Sequence, residues 1–247
     1  MDFQPPDATD FANVTALNRA FVDAIGRQRI GPVTGLRDPL AAAVAALDAA
    51  ERRRLCACPF LLFALAEHDV VRWRRLFDGR SEPDLISQAA QPSTVEARIV
   101  AATIGFLWQL AGRRPYAARV VSGASLDWCS QLSDCTLLDC LEFATTEVGL
   151  LSVRLHDHPS FWPRLLRAGT RPDAKLRRAA HMSALQVLLT GQRESRRSLP
   201  AAACALPSPA LRVADPARVS KEATREYNTP LDESAVDKKS HQNLRKR

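Results

Sequence analysis

Apolar residues in the first 191 positions recur at steps of three and four, the spacing that lines one face of an α-helix. Val14, Leu17, Phe21 and Ile25 form such a stripe and predict a helix from Asp10 to about Gln28. Gly26, Gly31, Pro32 and Gly35 then break the pattern. Asp38-Pro39 offers an acceptor and a preset φ for a second helix carrying Leu40, Val44 and Leu47. Asp48 followed by Glu51 has the spacing of a capping box, and the helix it opens should stop near Cys58, because Pro59 disfavours the α conformation before it. Pro59 can start the next run, Phe60 to Leu65, which is apolar on nearly every side and is assigned to the core. Val70 to Phe77 predicts a short helix with Val70, Trp73 and Phe77 on one face.

Gly79, Pro83 and Pro92 mark residues 78–92 as a surface loop dividing an N-terminal helical region (1–92) from a second one (93–192). Ser93 to Glu96 reads as another capping box, opening a helix whose inner side is Val95, Ile99, Phe106, Leu107 and Leu110. Short helices follow at Tyr116–Val121, at Leu126–Leu132 behind Ser125, and at Leu137–Thr146 behind Thr136. Pro159 and Pro163 interrupt the segment around Phe161 and Trp162. Asp173 opens a last helix to Gly191, with Leu176, Ala180, Val187 and Leu188 among its buried positions. Residues 193–247 lose all periodicity and mix Ser, Pro, Ala and both charge signs, so they are expected to form a disordered tail.

Composition agrees with this picture. Ala is abundant while Gly (10) and Tyr (2) are scarce, which favours helices because Ala loses no side-chain entropy there. The fold class expected is all-α, an irregular multi-helix bundle with a disordered C-terminal tail. No apolar stretch reaches the roughly 18 residues of a membrane span, and the acidic N-terminus lacks a secretory pattern. The six cysteines are therefore read as reduced thiols of a cytoplasmic protein. The net charge of +7 is uneven: residues 193–247 hold 12 Lys/Arg against 7 Asp/Glu, so the helical body is nearly neutral.

Candidate chemistry is sparse. Cys129, Cys135 and Cys140 precede His156 and His158, but the CxxC knuckle of most zinc sites is missing, and packing is the simpler account. Cys56 and Cys58 point about 200° apart on a helix, which excludes a bridge without unwinding. No serine lies in a nucleophile elbow and no glycine-rich phosphate loop exists, so no enzymatic activity and no cofactor is expected. His181 shares a face with Leu185 and Leu188 and is read as a core or interface histidine. Among the short basic clusters, Arg113, Arg114 and Arg119 directly precede a helix pair (126–132 and 137–146) with the turn length of a helix-turn-helix. Its second helix carries Asp139 and Glu142 and no Lys or Arg, which phosphates would repel.

Read as one string, residues 101–155 resemble the central part of the FlhD family of flagellar transcription regulators. The residues are Gly105 to Leu110, Ala117 to Gly123, the Thr136-Leu137 to Ala144 helix, and the exit triplet Val153-Arg154-Leu155. The resemblance implies a helical oligomer that works with a DNA-binding partner subunit. Arg113, Arg114 and Arg119 would then be this chain's phosphate contacts. Ala57 to Phe60 and Phe161-Trp162 with Leu165-Leu166 also look like uncharacterised helical proteins of proteobacteria. The competing expectation is a helical adaptor or assembly protein of a bacterial secretion or motility apparatus, binding protein partners and neither nucleic acid nor membrane.

Overall fold

The computed structural model describes residues 4–27, 33, 35–79, 94–147 and 149–197, with side chains to 190. Ten helices and one two-residue strand pair are present among them, so the protein is all-α. The helices are α1 (Ala8–Gly26), α2 (Asp38–Ala45), α3 (Ala49–Cys56), α4 (Val70–Phe77), α5 (Val95–Arg113), α6 (Pro115–Ser122), α7 (Leu126–Asp134), α8 (Leu137–Thr146), α9 (Phe161–Gly169) and α10 (Ala174–Arg197). Strand β1 (Phe63–Ala64) pairs antiparallel with β2 (Ser152–Val153). Helix α5 is the central element: α1, α6, α7 and α8 all pack against it, while α9 joins α10, α2 and α3.

Local chemistry sets most boundaries. Asp48 and Glu51 form the expected reciprocal capping box, and Thr136 forms another with Asp139. Ser125 accepts from the Trp128 N–H as the cap of α7. Gly123 ends α6 at φ +70, and a Cβ there would stand 2.6 Å from the Leu188 side chain, so glycine serves both the turn and the approach of α10.

Several expectations are corrected. Helix α1 starts at a capping box of Asp7 with Asp10, earlier than its apolar stripe indicates. Thr94 rather than Ser93 accepts from the Ala97 N–H at the start of α5; Ser93 and the loop proposed for 78–92, from residue 80 on, lie outside the described residues. On α4, Leu76 joins Trp73 in the core, whereas Val70 is exposed. Leu176 is 54% exposed, because the inner stripe of α10 is His181, Ala184 and Leu188. That helix also continues through Gly191 to Arg197; the remainder of the expected tail, 198–247, lies outside the described residues.

The largest correction concerns residues 60–65. All but the half-buried Ala64 are buried as expected, yet they are not helical: the chain bends at Phe60 and Leu62 and then enters β1. A short run apolar on every side fits a buried strand as well as a helix. A buried run outside a helix cannot satisfy its own backbone, so neighbours must do it. Buried Asn18 of α1 donates to the carbonyls of Phe60 (2.9 Å) and Cys56 (3.3 Å) and accepts from the Leu62 N–H (2.8 Å). The Leu61 N–H donates to the Val121 carbonyl. Arg154 donates from its backbone to Leu62 and from Nε to Phe63 (2.8 Å), and Trp73 Nε1 donates to Leu65 and Ala66.

Replacing Asn18 by Ala strands three buried backbone groups, and each unsatisfied group costs about 1–3 kcal/mol. Chemical denaturation of Asn18→Ala should therefore show a loss of about 3 kcal/mol or more, with Asn18→Leu no better despite its added apolar surface. A second prediction comes from His181, whose pKa burial lowers, with Arg177 adding to the effect and the Gly169 backbone offsetting part of it. The neutral ring is the folded form, so the unfolded state binds more protons below the ordinary His value of 6.5. Stability should fall as pH drops from about 6.5, and His181→Gln should flatten that slope in thermal melts.

Candidate functional site

The basic cluster singled out in the sequence is at least partly engaged inside the protein. Asp10, fully buried in the first turn of α1, takes Arg113 (3.2 Å) and Arg114 (3.2 Å) on its two oxygens, and Arg114 also reaches Asp7 at 2.8 Å. The Asp7 carboxyl is held below its ordinary value by the Asp10 backbone N–H first and by Arg114 second. These ion pairs clamp the C-terminus of α5 onto the N-terminus of α1. A phosphate at Arg113 or Arg114 would compete with carboxylates already in place. Arg119, the third expected contact, is half-buried, and its charge acts on the Cys129 thiol.

Other arginines act similarly. Arg75 pairs with Glu147 at 2.6 Å and Arg72 donates to the Gly149 carbonyl, joining α4 to the end of α8. Arg52 donates to Leu47, Arg54 to Thr170, and Arg177 to Arg171 and Pro172. Arg154 is buried against Glu67 at 3.1 Å.

Among the described residues no three His, Cys, Asp or Glu side chains gather as a metal site. The buried thiols behave as apolar groups: burial pushes Cys56 up to about 11 and Cys129 up to about 12, and Cys58 well above its ordinary value. Cys135 differs. It is half-buried, and a hydrogen bond with the Cys140 thiol lowers its pKa while raising that of Cys140.

The α7–α8 pair carries the surface feature that the sequence pattern concealed. Leu137, Leu138 and Leu141 are 42%, 47% and 38% exposed. At 100° per residue they fall within a sector of about 100°; the buried Phe143 lies across the helix from it, and the buried Cys140 and Ala144 border it on the Leu137 side. Residues 120–153 hold five Asp/Glu and no Lys or Arg, in a chain of net charge +7. That run was visible in the sequence. The outward leucines were not, since at helical spacing they read as core positions. The result is an apolar strip on an acidic surface, a combination that suits a protein partner and repels phosphate.

No family model, curated protein or solved structure matches the chain. The FlhD-type reading therefore stands on the helix pattern of residues 101–155 alone.

Because Asp10 is buried, removing both its partners leaves an uncompensated carboxylate. The double variant Arg113→Ala/Arg114→Ala should lose about 2 kcal/mol of stability, below the full buried-pair value because Arg113 is half exposed. Denaturation should show this loss whether or not DNA is present.

Proposed function

We propose that this chain is a non-enzymatic helical adaptor that holds a protein partner on the leucine strip of α8. The observation that supports it is the exposure of Leu137, Leu138 and Leu141 within a stretch of chain, 120–153, that holds five carboxylates and no cation. The partner segment should pair apolar side chains with Lys or Arg at its rim, since opposite charge steers encounter and fixes register. Surfaces of this kind are uncommon on monomers unless something covers them.

A regulator subunit of FlhD type is a second reading, favoured by the same α7–α8 pair following the basic residues 113–119. In that case the partner is a DNA-binding subunit that brings most phosphate contacts, and Arg119 is the residue of this chain best placed to add one, because Arg113 and Arg114 already hold Asp10.

Tagged protein purified from its own cells should retain a stoichiometric partner after nuclease treatment. Leu138→Glu/Leu141→Glu should lose that partner while melting at an unchanged temperature, both positions being exposed. A retained set identical in variant and wild type would overturn the adaptor reading. Recovery of a transcription-factor subunit would decide for the regulator form; structural components of a larger apparatus would decide for the adaptor form.

A further inference from the structure

A cleft of about 870 Å³ opens between α4 and the α7–α8 pair. Its walls are aromatic: Trp73 lies edge-on to Trp128 at 4.8 Å and stacks on Phe77 at 5.7 Å. Its rim is acidic: among the described residues that line it, Asp78, Asp134 and Asp139 stand with one cation, Arg74. Two of the lining residues also hold buried polar atoms that have no hydrogen-bond partner among the described residues. Glu67 Oε1 is taken by Arg154, whereas Glu67 Oε2 has no donor, and Trp128 Nε1 has no acceptor. A buried carboxylate oxygen and a buried indole N–H left unpaired at one cleft are costly, and they are complementary in kind: the first needs a donor, the second an acceptor.

We propose that this cleft binds an organic cation. Its ammonium or guanidinium N–H donates to Glu67 Oε2, and a carbonyl or hydroxyl oxygen on the same ligand accepts from Trp128 Nε1. The aspartates of the rim offset the cation's charge, since Arg154 already balances Glu67, and the packed rings of Trp73, Phe77 and Trp128 give the cleft a wall against which the ligand's carbon chain can rest. The site is independent of the leucine strip, which lies on the outer side of α8, and it stands whether or not that strip holds a partner. The cation has two sources with the same chemistry: a free small amine, or an arginine side chain with its neighbouring peptide carbonyl.

Titration calorimetry on the full chain with argininamide whose α-amine is acetylated tests this. Its isostere citrullinamide, acetylated in the same way and so without charge, should bind at least about tenfold more weakly. A neutral-capped peptide with one arginine distinguishes the sources. Equal affinity for peptide and argininamide assigns the cleft to small amines, and tighter binding of the peptide assigns it to a polypeptide arginine. Glu67→Gln is the direct variant, but it strands Arg154 and risks the fold. Asp78→Asn/Asp134→Asn changes only exposed carboxylates and should weaken argininamide binding about three- to tenfold with unchanged melting. Trp128→Phe should weaken it about two- to tenfold. No heat from either ligand at millimolar concentration, equal binding of citrullinamide, or unchanged affinity in both variants overturns the proposal.

Discussion

The apolar run 60–65 crosses the interior of this helical protein without forming a helix, and the arrangement around it follows from the hydrogen bonds it cannot make for itself. Inside a helix, each N–H finds a carbonyl four residues back. A non-helical run in the core must borrow its partners. Asn18 on α1, Val121 at the end of α6, Arg154 beyond β2 and Trp73 on α4 supply them. Each donor or acceptor fixes the position of the element that carries it. The left-handed backbone of Ala66 (φ 50) and Leu155 (φ 49) marks the two exits from the paired strands, where the chain turns so that Glu67 and Arg154 can meet.

The buried ion pair of Glu67 with Arg154 extends the same logic to charge. Arg154 is held by Phe63, Glu67 and its own backbone, whose carbonyl accepts from Trp162 Nε1 at 2.8 Å. That chain of contacts ties β1, β2 and α9 together. It leaves Glu67 Oε2 without a donor among the described residues, at a cleft also lined by the aromatic residues that α4 and α7 bring together. One structural solution thus creates both a rigid centre and an unmet demand at its edge.

Charge is distributed by the same economy. Arginines near helix ends close onto carbonyls and carboxylates of neighbouring elements, as Arg54, Arg72, Arg75 and Arg114 do. A basic isoelectric point of about 9.4 therefore describes the chain and not a phosphate-binding face. The acidic, cation-free stretch 120–153 is where the helical body departs most from that average, and its exposed leucines give it an apolar strip to offer a partner.

The helices were legible in the sequence because their signals are local. A cap at Asp48 or Thr136 acts on a backbone N–H three residues away, and a stripe such as Ile99, Phe106, Leu107 and Leu110 lies on one element. Which apolar residues are covered is a property of neighbours. Leu138 and Leu141 carry the same local pattern as Phe143, yet α5 covers only the other side of α8. The partnership of Arg113 and Arg114 with Asp10, across more than a hundred residues, and the non-helical course of 60–65 could not be read in advance. Spacing along the chain determines what each segment can form alone; only packing decides which groups lose water, and that loss makes a buried carboxylate need its arginine and a buried carbonyl its asparagine.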